Sequence, residues 1–270
     1  MFVYTEQADR RAKRPKKIKD ALINCMRNDM NGFAIHYHPI LSAESQRWQA
    51  VEALCRWTMP DGTSIPPIEF IRFAEQMNLI GQLDSWVRRT AIRQCVDLGL
   101  TAMEFTLNIN FSPTQRIDDS FIDYLTGIMR EASFPAHKLN LEITETAKVS
   151  FDEDNLRGLR RLTETGIILS IDDFGTGYSS FSLLLEISAT MLKTEKHLLD
   201  GIEDDRHRQY LLNMLANLAH DHGMELIAEG IESYRQLDLL KRLNVDYVQG
   251  YLFSKPLSYD QLKAEVWRFQ

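Results

Sequence analysis

Two adjacent carboxylates, Asp172 and Asp173, have the residue type and spacing that chemistry at a metal ion would need. They lie in the stretch Ser170–Ser180, where an apolar run over residues 166–171 meets two glycines, which indicates a strand that ends in a tight loop. Like charges on neighbouring residues repel unless a cation neutralises them or one carboxyl is protonated. The pair therefore predicts a divalent metal site, although an Asp-Asp pair can also simply cap and solvate a turn.

Further isolated polar residues stand where other predicted strands end. With the Asp pair they are Glu52, Asn110, Glu142, Asp172, Asp173, Lys193, Glu229 and Gln249. Alternation of period two places Glu142 on one face with Asn140 and Thr144, and apolar residues on the other face. Each residue alone could form a rim salt bridge or a helix cap, but polar residues from seven strands favour one shared site.

Carboxylates dominate this set, with one Asn and no clustered His or Cys. Such hard oxygen ligands suit Mg²⁺ or Mn²⁺ better than zinc. An adjacent Asp pair can bridge two ions, the arrangement that activates water and stabilises an in-line phosphoryl displacement. Lys193 would act as a fixed cation near the nucleophilic water or the transition state. The residues alone therefore predict metal-assisted hydrolysis of a phosphate ester.

The elements that must position these residues follow a strand, loop and helix order after an initial strand pair. Strands are predicted at Phe33–Ile40, Trp48–Trp57, Glu104–Asn110, Lys138–Ile143, Ile167–Asp172, Thr190–Lys193, Glu225–Ala228 and Tyr247–Gln249. Helices are predicted at Asp9–Asn28, Ile68–Gln76, Gln82–Leu98, Ser120–Glu131, Glu153–Thr165, Asp204–His222, Tyr234–Leu243 and Tyr259–Phe269. The first two strands are too close in sequence for a parallel crossover, so they form a hairpin. This order predicts an α/β fold, a modified TIM-type (β/α)8 barrel with its first strand antiparallel, whose active site lies at the strands' C-terminal ends.

Composition describes a globular protein of 270 residues, with 44% hydrophobic and 26% charged residues. It contains no apolar run of 18 residues and no signal peptide at its N-terminus, so we expect no membrane span in this chain and a cytoplasmic location, alone or as a domain of a larger protein. Three cysteines without metal-ligand spacing indicate reduced thiols.

The charge is unevenly distributed along the chain. Residues 1–30 carry 8 Lys/Arg against 4 Asp/Glu, whereas the remainder carries 23 against 34. An acidic body is a poor binder of polyanions, so we expect no nucleic acid polymer as a partner, and a phosphate compound would bind through metal ions. Residues 1–19 are predicted to be a basic linker that joins an upstream domain, and residues 20–270 the barrel.

Several motifs resemble those of the EAL-domain family, in the right order over about residues 20–270. They are Glu52-Ala53-Leu54, Asn110-Phe111-Ser112, Glu142-Ile143-Thr144-Glu145, Asp172-Asp173-Phe174-Gly175-Thr176-Gly177, Ala228-Glu229-Gly230-Ile231-Glu232 and Gln249-Gly250. The family comprises bacterial phosphodiesterases that linearise cyclic di-GMP to pGpG with two Mg²⁺ or Mn²⁺ ions. The resemblance therefore implies cyclic di-GMP as the partner molecule and two such ions as cofactors.

Roles carried over by motif divide the site residues into metal ligands, catalytic residues and substrate contacts. One ion would be held by Glu52, Asn110, Glu142 and Asp172, and the other by Asp172, Asp173 and Glu229. Lys193 and Gln249 would contact waters in the cluster, and Lys193, Glu52 and Glu145 are the predicted catalytic residues. Substrate contacts would come from Arg56, Leu54, Gln249 and His38.

The resemblance also implies partners. Glu145 would brace the loop Asp172–Ser180, which in this family links the metal site to a homodimer interface. The leader resembles the join between a GGDEF or sensory domain and an EAL domain. Two departures stand out: His38 replaces the usual Gln, and Thr194-Glu195 replaces the usual Ile-Asp.

Other functions remain as alternatives. Many EAL domains are cyclic di-GMP receptors without hydrolysis, but these typically lose a metal ligand and this chain retains the set. A kinase is suggested only by Asp173-Phe174-Gly175, without a Gly-rich loop or a His-Arg-Asp signature. His36 and His38 share one strand face but have no nearby metal-binding partner in the sequence.

Overall fold

The computed structural model describes residues 6–111, 116–144, 153–175, 184 and 187–269, and within them eight strands close into a barrel. This confirms the predicted fold class. The barrel strands are β1 (Phe33–Ser42), β2 (Trp48–Thr58), β4 (Thr106–Phe111), β5 (Leu139–Thr144), β6 (Ile168–Phe174), β7 (Met191–Thr194), β8 (Glu225–Glu229) and β9 (Tyr247–Gln249). Two short strands, β3 (Ser64–Ile65) and β10 (Leu257–Ser258), pair with β2 and β1.

Strand direction explains how the barrel closes. β1 is antiparallel to both of its barrel neighbours, β2 and β9, while the remaining neighbours from β2 to β9 are parallel. The pairing of β1 with β2 is the predicted hairpin, whose register shifts between Ile40 and Leu41. Because seven strands run the same way, their C-terminal ends meet at one rim, where active sites of such barrels lie.

Helices connect and surround the strands. Those of the described ranges are α1 (Glu6–Arg27), α2 (Pro67–Gln76), α3 (Ile80–Asp97), α4 (Asp119–Ala132), α5 (Glu153–Glu164), α6 (Arg206–Asp221), α7 (Tyr234–Arg242) and α8 (Tyr259–Glu265). Short 3₁₀ helices are Leu100–Ala102, Ala136–Lys138, Lys196–Leu199 and Val266–Phe269. Several helix starts carry side-chain caps, which fix their first residue: Asp118 accepts from the Phe121 amide, and Ser233 forms a capping box with Gln236.

The helix α1 runs through Pro15, although a proline in a helix interior usually kinks or breaks the helix. Beyond the proline, Ile18 and Leu22 are buried in the main core. Arg14 contacts both carboxylate oxygens of Glu69 on α2, at 2.7 and 2.8 Å. The helix therefore crosses the predicted boundary between residues 1–19 and 20–270, and that division into domains stays a prediction.

The interior of the barrel is apolar at one end of its axis and polar towards the other. Ile40, Ala50 and Ile227 form a small apolar cluster at the end opposite the predicted site. Between this apolar cluster and the predicted site, the side chains inside the barrel are polar. The apolar main core lies outside the barrel, between the strands and the surrounding helices. None of the helices in the described ranges combines the length and the apolar content that a membrane span needs.

Candidate active site

Lys193 lies at the centre of the polar rim and is fully buried. Its Nζ atom is 2.6 Å from Glu229 Oε1 and 2.9 Å from Glu142 Oε1. It is also 3.4 Å from Asp172 Oδ1 and 3.8 Å from Glu52 Oε2. These carboxylates come from β8, β5, β6 and β2. The barrel thus brings residues that are far apart in sequence around one ammonium group.

Two side-chain amides hold the carboxylate of Glu52. Asn110 Nδ2 donates to Glu52 Oε1 at 2.9 Å, and Gln249 Nε2 donates to Glu52 Oε2 at 2.9 Å. Both Glu52 oxygens therefore have a donor, which fixes the orientation of the carboxylate. Asn110 and Gln249 reach it because β4 and β9 flank the hairpin of β1 and β2.

Asp172 and Asp173 lie at the end of β6, where the register with β7 shifts between Ile171 and Phe174. Asp173 has a φ of 54°, in the left-handed region, and its backbone N–H donates to Asp172 Oδ1 at 2.9 Å. Non-glycine residues adopt this conformation infrequently, although Asp does so more readily than most. The strand is therefore irregular at the Asp pair itself and continues to Phe174, two residues beyond the predicted end at Asp172.

Burial and charge together decide which of these groups carry protons. Burial raises the pKa of Glu142 well above its ordinary value, and the neighbouring Glu52 and Asp172 add to the effect against the opposing Lys193. Burial likewise raises the pKa of Glu229 to about 7. Burial, followed by Asp172, raises the pKa of Asp173. In the absence of further positive charge, the cluster therefore retains protons that ordinary carboxyl groups would lose.

For Glu52 and Lys193, neighbouring groups outweigh burial and shift the pKa so that the charged form is favoured. Burial would raise the pKa of Glu52, but Lys193 and the hydrogen bonds from Gln249 and Asn110 outweigh it and lower the pKa. Burial would lower the pKa of Lys193, yet the carboxylates of Asp172, Glu142 and the other two neighbours raise it well above its ordinary value. Lys193 is therefore an ammonium, and Glu52 is a carboxylate.

The donor set fits divalent cations by its chemistry. In the described residues four carboxylates lie within 3.8 Å of one central ammonium and Asp173 adjoins them, so bound cations would balance the negative charge that these carboxyl groups carry once ionised. Glu142 Oε2 is buried and accepts no hydrogen bond within the described part of the chain. Among the described residues, however, no three acidic, His or Cys side chains are grouped to hold a metal ion as they stand. A cation that binds here must therefore compete with Lys193 for these oxygens.

A cavity of about 370 Å³ adjoins the cluster on the side of β2, α2 and α3. Its wall includes Glu52 and Asn110 of the cluster, and also Leu54 and Arg56, two of the predicted substrate contacts. The other two, His38 and Gln249, do not line it. His38 Nε2 lies 3.1 Å from the Ser254 carbonyl oxygen, so this nitrogen carries the N–H that donates to it.

Asp84 on α3, which is not among the residues predicted from the sequence, also lines this cavity. Burial raises the pKa of Asp84 to about 6, with Arg88 opposing and Glu75 adding to the shift. One signal was available in the sequence. Ile80, Leu83 and Val87 define the buried face of α3, and Asp84 interrupts that face four residues after Ile80.

Glu145 and residues 176–180 of the predicted loop lie outside the described residues. The predicted roles of this segment, in bracing the site and in a dimer interface, therefore stay predictions. The second departure from the family pattern is partly described: Thr194 is fully buried at the end of β7, and Glu195 follows it directly.

Comparison with known proteins gives consistent matches. The family model described as EAL domain matches residues 19–256. Cyclic di-GMP phosphodiesterase NbdA of Pseudomonas aeruginosa is 32% identical over 262 residues, which are 96% of this chain and 33% of NbdA. The chain spans between a quarter and a half of the length of the curated relatives that it matches.

Two solved structures are similar in fold and sequence. The EAL enzyme Bd1971, in a form with cAMP and cyclic di-GMP bound, has a TM-score of 0.87 and 26% identity, covering 94% of this chain and 69% of that chain. The complex of PaMucR phosphodiesterase with c-di-GMP has a TM-score of 0.81 and 30% identity, covering 89% of this chain and 99% of that chain.

Proposed function

The chain belongs to the EAL domain family, as its motifs indicated, and on this basis we propose that it hydrolyses cyclic di-GMP to linear pGpG with two Mg²⁺ or Mn²⁺ ions. The observation that carries the proposal is the convergence of Glu52, Glu142, Asp172 and Glu229 on Lys193 at one rim of the barrel. Incubation with cyclic di-GMP and either metal, followed by nucleotide chromatography, tests it by the appearance of pGpG.

The metal ligands would be the oxygen donors assigned by motif. Glu52, Asn110, Glu142 and Asp172 would hold one ion, and Asp172, Asp173 and Glu229 the other. Ions bound there supply Lewis acidity at the phosphoryl group and make water a stronger nucleophile at neutral pH. Glu52 is held for this role by Asn110 and Gln249, so its carboxylate loses little conformational freedom on binding a metal.

Lys193 supports the reaction as a fixed positive charge. Its ammonium is completely buried and remains protonated, so it offers a charge that water does not screen. Negative charge increases on the phosphoryl oxygens as the nucleophile attacks, and a preorganised cation stabilises that charge. Before a metal binds, the same ammonium keeps the mutually repelling carboxylates together.

The adjoining cavity provides the recognition of the nucleotide. Arg56 would contact a phosphate, and Leu54 and Val87 would flank a base. Guanine presents two N–H donors along its Watson–Crick edge, and the Asp84 carboxylate can accept from both. Asp84 therefore becomes a specificity contact of the proposed substrate.

We expect Asp84→Asn to weaken binding of cyclic di-GMP by about 10- to 100-fold, because hydrogen bonds to a charged acceptor contribute about 1.5–3 kcal/mol. Calorimetric titration with cyclic di-GMP measures the dissociation constant. The control is Asp97→Asn, an exposed position at the end of the same helix, which should bind as the parent does. Unchanged affinity in Asp84→Asn would exclude Asp84 from recognition.

The same variant should stabilise the protein without ligand. The pKa of Asp84 rises from 3.8 to about 6 on folding, so the folded state binds more protons between these values. This contribution to stability is present below pH 4 and is lost as the pH rises through 6. At pH 7.5 Asp84→Asn should therefore raise the free energy of unfolding by up to about 3 kcal/mol, since each pKa unit corresponds to about 1.4 kcal/mol. Denaturant unfolding at pH 4 and pH 7.5 would contradict this if the variant gained nothing at the higher pH.

Ca²⁺ should bind to the cluster but support little or no turnover. It prefers longer and less regular oxygen contacts than Mg²⁺, so it would occupy the site without the geometry that activates water. Calorimetry with Ca²⁺ alone and chromatography of cyclic di-GMP reactions in Ca²⁺ measure the two properties. Hydrolysis in Ca²⁺ at the rate seen in Mg²⁺ would contradict a two-metal mechanism.

The chain's place in a larger protein is part of the proposal. The curated relatives are much longer than this chain, which supports the presence of further domains, and we propose that one of them is an upstream GGDEF or sensory domain joined through the basic α1. We also propose a homodimer through the region around Asp172–Ser180 and a cytoplasmic location. The alternative is a receptor that binds cyclic di-GMP without hydrolysis. Such receptors typically lack a metal ligand, whereas this chain retains the predicted set.

A further inference from the structure

A layer of uncharged polar side chains lies inside the barrel directly below the carboxylates. It consists of Asn108 on β4, Asn140 on β5 and Ser170 on β6, none of which is exposed. Each stands two residues before a member of the carboxylate site, so its side chain points to the same face of its strand. Polar groups buried this deeply cost free energy unless they form hydrogen bonds.

Asn108 differs from the other two because it contacts a carboxylate. Its Nδ2 atom donates to Glu142 Oε1 at 2.9 Å, and its Oδ1 atom accepts from Thr106 Oγ1 at 3.4 Å. Lys193 Nζ lies at 2.9 Å from the same oxygen of Glu142. Oε1 thus faces two donors, while Oε2 is buried and accepts no hydrogen bond in the described residues.

We infer that Asn108 is a positioning residue for the metal site, holding Glu142 by Oε1 so that Oε2 is the oxygen presented to a cation. This inference rests on the proposed function. A divalent cation competes with the Lys193 ammonium for the carboxylates, since both are positive. The amide of Asn108 is neutral, so its hydrogen bond to Glu142 can persist when a cation is present. Asn108 then keeps the side chain of Glu142 in place when the contact between Glu142 and Lys193 is weakened by the bound cation.

Asn140 provides a matched control. It lies in register with Asn108 on the neighbouring strand and is equally buried. Its Nδ2 atom donates only weakly, to Met191 Sδ at 3.6 Å, and its Oδ1 atom has no partner among the described residues. Replacement of either Asn by Leu removes a buried amide and changes side-chain volume in the same way, but only the change at Asn108 releases Glu142.

The test compares Asn108→Leu and Asn140→Leu with the parent. Calorimetric titration with Mn²⁺ alone should show affinity lower by on the order of 10- to 100-fold in Asn108→Leu, the usual effect of losing a partner that orients a ligand. Asn140→Leu should stay within about twofold of the parent, because no ligand loses its hydrogen bond there. The turnover deficit of Asn108→Leu should shrink as Mn²⁺ is raised. If the Leu variants fail to fold, the Ala variants at the same two positions give the same comparison.

The outcomes separate this inference from the proposed function. A parent that binds Mn²⁺ and makes pGpG, with Asn108→Leu binding Mn²⁺ equally well, would overturn the role of Asn108 and leave the enzyme intact. Equal losses of Mn²⁺ affinity in both variants would indicate a purely structural layer and overturn it as well. A parent that binds no Mn²⁺ would overturn both conclusions.

Discussion

Lys193→Met is expected to lower kcat by on the order of 10²-fold or more, as the loss of other electrostatic stabilisers does. Methionine preserves most of the length and apolar volume of the lysine side chain but removes the charge. Binding of cyclic di-GMP in saturating metal should persist, because the carboxylate oxygens remain and a competing cation has gone. Steady-state kinetics with Mg²⁺ or Mn²⁺ give kcat and KM separately, and the loss should appear in kcat.

Lys193→Met should also be less stable than the parent without metal, because the ammonium holds the mutually repelling carboxylates together. Without metal, four carboxylates lose their shared ammonium, and removing one partner from a buried ion pair typically costs about 3–5 kcal/mol. Mn²⁺ should restore much of this stability. The control is Lys196→Met, three residues away, where the lysine is exposed and pairs with Glu232. A Lys193→Met enzyme with the parent's kcat would remove Lys193 from the catalytic residues.

Glu52→Ala is expected to lose metal binding and turnover together. The carboxylate is a predicted metal ligand, and its removal also leaves the amides of Asn110 and Gln249 without their acceptor. One substitution therefore removes a predicted metal ligand and leaves two amide donors without their acceptor at the same point of the rim. Mn²⁺ calorimetry should show binding weakened by on the order of 10²-fold, and no pGpG above about 1% of the parent's rate should form, since the reaction depends on the ions.

A carboxylate at the other end of the barrel controls for general damage to Glu52→Ala. Glu225 begins β8, the strand that ends in Glu229, and its carboxylate accepts from the Tyr247 hydroxyl at 3.1 Å. Glu225→Ala should keep both metal binding and turnover. Retention of tight Mn²⁺ binding by Glu52→Ala would contradict its assignment as a ligand, whereas equal losses in both variants would indicate unfolding.

The sequence was sufficient to predict the barrel because, after the initial hairpin, short strands alternate with helices along the chain. The seven residues between the first two strands exclude a parallel crossover, and the structure shows the hairpin. Element ends shifted by a few residues where caps decide them. Asp118, for example, accepts from the Phe121 amide and starts α4 at Asp119, one residue before the predicted helix. The helix α1 continues through Pro15 because burial of Ile18 and Leu22 in the core favours the helix despite the proline.

The positions of the site residues followed from topology, but their contacts did not. Parallel strands bring their C-terminal ends together, so Glu142 and Lys193 could be predicted to share a rim. That Lys193 lies at the centre of the carboxylates depends on packing in three dimensions. Asp84 was missed because α3 reaches the cavity only when it packs beside β2. Asn108 was not selected because its contact is made with Glu142 on the neighbouring strand β5, which the sequence of β4 alone does not show.

Hydrolysis of cyclic di-GMP by this chain can be tested by one paired measurement on the parent protein. Calorimetric binding of cyclic di-GMP and chromatographic product analysis should be made on the same preparation in saturating Mg²⁺ or Mn²⁺, with a chelator added to a parallel sample. We expect pGpG to appear as cyclic di-GMP disappears, and the chelator to stop the reaction. Tight binding of cyclic di-GMP without formation of pGpG in either metal would contradict the enzyme and identify the chain as a receptor.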